Sequence, residues 1–376
     1  MKRIVQWLKS WVYCFFYPKP TKLIGISQEN CSQITAPYPK IKAVFEQETY
    51  DLRHLPAPIC LPQDAFSLFQ PFQSEVKWVG LEIIDQRFFL ANNHLISPKK
   101  EIWYEPDLPS VPALNGYLPP WFKIRKLHGT VAYLANTVSN HYGHFTRYMY
   151  PLLEWYEKTW GLQQINYFYI GEYPPTNFIV EMLQAWNIQP QQLVYQPIRA
   201  DRIVVFIPQR GTPQAKYWDY GGFQFVRKHS EKIKKLSPGM PIFDKIYVER
   251  GNVQWRKVLN ENEVKAFLAP LGFTFLSMDN LPVSQQIHIF ENARYIIAPH
   301  GSALTNLIYC QPNTQVIEIL PYNYEDMSSF TYAFYGKLRY AYLRGNPIPT
   351  QVAPCYEDIW VDMNKLQQVM ELLEKT

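Results

Sequence analysis

Apolar runs of strand length alternate with segments of helical period through the second half of the chain. Residues 244–250 (DKIYVER), 273–278 (FTFLSM), 294–299 (RYIIAP) and 315–321 (QVIEILP) read as strands, and 261–271, 283–293 and 302–310 as the helices between them. Asn260 with Glu263 predicts a capping box opening the first helix, and Gly272 suits its C-terminal turn. Strands separated by short helices imply a parallel sheet with crossover connections. The same alternation recurs less regularly earlier. Strands are expected at 129–136, 165–171, 192–196 and 202–208, with helices at 144–159 and 174–188. Ahead of them, 76–96 reads as a hairpin or meander turning at Asp85–Gln86, and 23–75 is rich in proline and polar residues. Residues 209–243 are turn-rich around one charged helix and form the best boundary.

The first 22 residues stand apart. Ile4, Leu8, Trp11 and Phe15 recur at helical spacing until Pro18 stops the run, and Lys9 interrupts it too early for a membrane span. Lys2, Arg3, Lys9, Lys19 and Lys22 carry the whole net charge of +5, leaving the remaining basic residues equal in number to the 32 acidic ones. An aromatic stripe among positive charges fits an interfacial helix on an anionic membrane surface; a helix packed on its own domain fits as well. A folded domain with balanced charge argues against a nucleic-acid partner. The five cysteines are scattered with no C-x-x-C, so neither a disulfide framework nor a zinc site is expected, and a reducing compartment fits.

The chemistry concentrates at Pro299-His300-Gly301-Ser302, where a buried strand becomes a helix. A helix N-terminus offers free N–H groups and partial positive charge. Gly301 allows close backbone approach, Ser302 and Thr305 carry hydroxyls, and His300 is a donor for a phosphate or ribose oxygen. Glu318, at the end of the next strand, could accept from ribose hydroxyls, and Arg250 and Arg256 follow the strand 244–250 as cations for a diphosphate. The alternatives are a turn histidine bonded to neighbouring backbone, a solvated strand end and surface arginines. A serine-hydrolase reading of Ser302 fails, because a nucleophile elbow needs Gly-x-Ser-x-Gly.

The run from Arg250 and Arg256 through NENEV to SQQIHIFENARYIIAPHGSALTNLIYCQPNTQVIEILP closely resembles the catalytic domain of glycosyltransferase family 61. The likeness is strong over 244–345 and weaker over 128–210, where NHYGHFTRYMYPLL is similar to the family's Asn-x-x-His segment. The resemblance implies an α/β protein of GT-B type, with two Rossmann-like domains facing a cleft and extra β-structure near the N-terminus. It also implies an inverting mechanism and a nucleotide-sugar donor, most often UDP-linked, used without a metal or other cofactor. It places Arg250, Arg256, His300, Gly301, Ser302 and Asn306 in the donor site with Glu318 beside it. The general base would be a histidine of the N-terminal domain, His144 or its neighbour His141; their spacing lacks a third metal ligand, and Glu154 is expected to be solvated or paired.

The expected divisions are 1–22, an acceptor-side domain at 23–218, a nucleotide-sugar domain at 219–355 and a terminal helix at 356–376 packing back across the cleft. The whole reads as a cytoplasmic transferase, peripheral on the inner face of a membrane, moving sugar to a glycan acceptor in surface-polysaccharide synthesis. A pyruvyl transferase or a non-catalytic saccharide-binding protein on the same fold are the alternatives.

Overall fold

The structure is a computed structural model and describes residues 22–25, 28–51, 58–65, 73–104, 118–136, 138–209, 220–237, 239–251 and 253–375. The basic aromatic helix expected over 1–22 lies, but for Lys22, outside them. The chain divides into two compact units, one of residues 1–50 and 73–219, the other of 51–72 and 220–376.

The first unit is built on one mixed sheet. Its strands are β1 (Lys22–Gly25), β2 (Ile41–Asp51), β3 (Gln73–Ile83), β4 (Phe89–Ala91), β5 (His94–Ile96), β6 (Glu101–Tyr104), β7 (Arg125–Tyr133), β8 (Tyr167–Tyr169), β9 (Leu193–Val194) and β10 (Ile198–Gln209). The order is β1-β6-β5-β4-β10-β7-β8-β9, with β3 also on β10 and β2 on β3. β10, β7, β8 and β9 are mutually parallel. The expected turn at Asp85–Gln86 is not a hairpin. β3 and β4 follow one another along the same edge of β10, Ile83 facing Ile203 and Leu90 facing Ile198. The hairpin comes one step later. Asn92 and Asn93, at φ 51° and 62°, make the two-residue turn between β4 and β5, a backbone that asparagine tolerates better than most residues. The early β-structure is therefore part of the main sheet, with Val79, Leu81, Ile83, Leu90, Trp103, Val131, Ile203 and Val205 in one core.

In the second unit β11 (Lys245–Glu249), β12 (Thr274–Ser277), β13 (Tyr295–Pro299), β14 (Gln315–Leu320) and β15 (Arg339–Arg344) are ordered β12-β11-β13-β14-β15. Every pairing is parallel. In units of sequence order this is 2-1-3-4-5, a doubly wound arrangement that reverses direction between β11 and β13. β13 and β14 are buried almost throughout, which is why they read as unbroken apolar runs. β15 and the helix Ser328–Gly336 before it have no counterpart among the sequence expectations, because 322–335 mixes aromatic and small polar residues without a period.

Three further sequence features take the following places. Asn260 precedes the helix Glu261–Leu268, yet its side chain caps nothing. Its amide instead pairs with Val361 as a peptide would, Nδ2 donating to the carbonyl (2.9 Å) and Oδ1 accepting from the N–H (2.9 Å). The closing helix Met363–Lys375, expected to return across a cleft, buries Leu366, Val369, Met370 and Leu373 in the core of the second unit itself. The stretch 58–65, placed by sequence in the N-terminal domain, also belongs here. Ile59 bridges to Ala341 beside β15, and Leu61 joins the same core.

Candidate functional site

Ligands of doubly wound sheets bind beyond the carboxyl ends of the strands, at the reversal of strand order. Here that point lies between β11 and β13. Arg250 directly follows β11 and His300 directly follows β13, so the topology itself brings together residues well separated in sequence.

Arg250 lies against Gly301: a Cβ on Gly301 would sit 1.9 Å from the arginine Nη1. Gly301 has φ 173°, an extended backbone open to any residue, so a larger side chain there would meet only the far end of the flexible Arg250 side chain and displace its guanidinium. Nη2 of Arg250 donates to the carbonyl of Trp255 (3.2 Å). The Nε atoms of Arg250 and Arg256 are buried and have no hydrogen-bond partner, and among the described residues neither guanidinium forms an ion pair. Burial, and then the like charge of Arg256, pull Arg250 down to about 10, with Asp279 and Glu261 offsetting part of this from a distance. Arg256 is held at φ 58°, an uncommon backbone for a residue other than glycine. Two cations forced together with unsatisfied buried donors are a costly arrangement that an anion would relieve.

His300 sits beside them, 7% exposed, its N–H donating to the carbonyl of Ile319 (2.8 Å). Its Nδ1 is 2.6 Å from Oε1 of Glu318. Glu318 is fully buried on β14 and also accepts from the hydroxyls of Ser329 (2.8 Å) and Tyr340. With two hydroxyl donors on the carboxylate, the consistent assignment makes Nδ1 a third donor and leaves Nε2 as the nitrogen available to a ligand. The Tyr324 ring stands edge-on to the imidazole, centroids 5.2 Å apart. Glu318, expected beside ribose hydroxyls, is enclosed in the middle of β14, where its carboxylate meets His300, Ser329 and Tyr340.

Ser302 is exposed at the start of the 3₁₀ helix Ser302–Tyr309, while Thr305 and Asn306 are buried. Asn306 Nδ2 donates to Gln286 Oε1 (2.8 Å), tying this helix to Val283–Asn292. Thr305 and Asn306 therefore shape the turn from behind and do not line it. Ser329, Tyr340 and Tyr324 were not anticipated, since only the topology carries them to His300.

In the first unit His141 and His144 follow β7. His141 is exposed, His144 half-buried, and their rings lie 6.1 Å apart. His144 stacks on Tyr148 (5.7 Å, 25°). The helix expected over 144–159 is broken: the turn Tyr142–His144 leads into a π segment, Phe145–Met149, in which Tyr150 N–H bonds the Phe145 carbonyl (2.9 Å). Pro151, which has no N–H to give, precedes the α-helix Leu152–Trp160. Such widened turns often mark functional positions. Glu154 pairs with Lys158 (3.3 Å).

A parallel doubly wound unit thus places two arginines with unsatisfied buried Nε atoms, a carboxylate-held histidine and Gly301 at its switch point, an arrangement that an anion would relieve. The chain belongs to the family Glycosyltransferase 61, whose profile matches residues 54–317. It is 24% identical over 102 residues to protein O-linked-mannose beta-1,4-N-acetylglucosaminyltransferase 2 of Homo sapiens and, equally, of Pan troglodytes. That match covers 26% of this chain and 18% of each relative. Among the described residues no helix is long and apolar enough to cross a membrane.

Proposed function

We propose that the protein is an inverting glycosyltransferase of GT-B type that moves a sugar from a UDP-linked donor to a glycan acceptor in surface-polysaccharide synthesis. The observation that carries this reading is the Arg250–Arg256 pair at the strand switch point, its two Nε atoms buried without a partner and the Arg250 guanidinium lying against Gly301. The acceptor hydroxyl attacks the anomeric carbon, the bond to the diphosphate oxygen breaks, and the hydroxyl proton passes to His144 as general base. The departing diphosphate gains negative charge, which Arg250, Arg256 and His300 Nε2 stabilise without requiring a metal. The relatives' names describe a β-1,4 linkage, the outcome of inversion at an α-linked donor, and make UDP-N-acetylglucosamine the first donor to try.

Calorimetric titration with UDP, GDP and CMP, each with Mg²⁺ and again with EDTA, tests the reading. UDP is expected to bind selectively, to survive EDTA, and to lose about ten-fold or more in Arg250→Ala, as for removal of a charge-assisted hydrogen-bonding group. His144→Ala should bind UDP normally and lose turnover. A folded protein that binds no nucleotide would overturn the proposal.

A further inference from the structure

Trp255 and Tyr356 are large rings left 38% and 47% exposed, with centroids 5.1 Å apart and planes inclined by 39°. They come from remote segments that the fold laces together. Lys257 N–H donates to Asp358 Oδ1 (2.8 Å), Ile359 N–H to the Lys257 carbonyl (2.7 Å) and Leu259 N–H to the Ile359 carbonyl (2.8 Å). Asn260 and Val361 add their reciprocal pair immediately beyond. The two segments are thus tied together just beyond the rings, by backbone bonds and by the side chains of Asp358 and Asn260, although leaving two such rings in water forgoes the burial that aromatic residues ordinarily provide.

Their position relative to the cations gives this exposure a use. The Trp255 carbonyl accepts from Arg250, and Arg256 is the next residue, so the loop that presents the indole also presents both guanidinium groups. In a nucleoside diphosphate the base lies one ribose away from the phosphates, and every base has a π face that stacks on an aromatic side chain. We propose that Trp255, backed by Tyr356, is the platform on which the nucleobase of the donor stacks. This rests on the nucleotide-sugar reading above and adds the base subsite to it. Stacking tolerates any base, so the platform contributes affinity, and choice among bases falls to other groups.

The test is titration of the wild-type protein, Trp255→Ala, Trp255→Phe and Tyr356→Ala with UDP and, separately, with inorganic pyrophosphate. Trp255→Ala should weaken UDP by roughly ten-fold, the typical scale for losing one base–aromatic stack, and leave pyrophosphate unchanged. Trp255→Phe should keep most of the UDP affinity, and Tyr356→Ala should lose several-fold. Equal UDP binding by wild type and Trp255→Ala overturns the platform, as does an equal loss of UDP and pyrophosphate. A raised KM for the glycan acceptor with UDP affinity intact would assign the rings to the acceptor and also overturn it. These results differ from a wild type that binds no nucleotide at all, which removes the donor reading and the platform with it.

Discussion

At the scale of single residues, Glu318 is the clearest case of a side chain whose chemistry follows from what surrounds it. A carboxylate in the middle of a central strand is expensive to desolvate, and the fold meets it with three donors from three elements: His300, Ser329 and Tyr340. Glu318→Gln keeps the shape but replaces one acceptor atom with an NH₂ group facing those donors. Unfolding free energy is expected to fall by about 1–3 kcal/mol, the penalty for a buried polar group without a partner. UDP affinity should fall as well, because His300 loses the group that fixes its ring. Thermal denaturation and titration of the same preparation check both; an unchanged melting temperature with unchanged affinity would refute the assignment.

At the scale of elements, the short hairpin β4–β5 carries a charge-sensitive residue into the first core. His94 opens β5 only 5% exposed, and burial pulls it down to about 4. The unfolded value is near 6.5. Above that value both states are neutral and the histidine has no pH effect. Between 6.5 and 4 the unfolded chain takes up a proton that the folded one refuses, so stability falls as pH falls, and the loss is complete below about 4. The shift corresponds to roughly 3 kcal/mol. Urea unfolding of wild type and His94→Leu at pH 7 and pH 4.5 should show a steeper acid loss in wild type, and parallel losses would contradict this.

At the scale of the whole molecule, the chain does not divide at one point. Residues 58–65 contribute to the second unit although the first unit resumes after them. Ile59 N–H donates to Tyr340 O (3.2 Å), and Tyr342 N–H donates to Ile59 O (3.0 Å). Asp64, 1% exposed, accepts from Arg344 N–H (3.3 Å) and Lys365 Nζ (3.2 Å). Asp64→Ala strands the Lys365 ammonium and should cost about 3 kcal/mol, the scale for breaking a buried ion pair. Denaturant unfolding followed by hydrogen exchange should place the loss in residues 220–375. An effect confined to the first unit would show that the segment belongs elsewhere.

Elements whose burial is periodic or complete are written in the chain itself. β11, β13 and β14 are near-continuous apolar runs because parallel strands are covered on both faces, and the His300-Gly301 turn was legible because it ends such a run. Arg250 and Arg256 were legible as cations beyond a strand. The tertiary structure alone decided which cations lack partners, since that depends on side chains brought in by the 2-1-3-4-5 order. It also decided that Glu318, Thr305 and Asn306 stand behind the site. A one-dimensional pattern shows that a carboxylate or amide lies near a strand end, but enclosure is set by Ser329, Tyr340 and Gln286 arriving from other elements. The pairing of Trp255 with Tyr356 was hidden for the same reason. Short-range pattern records local conformation, and contact between remote segments is fixed only when the sheet is assembled.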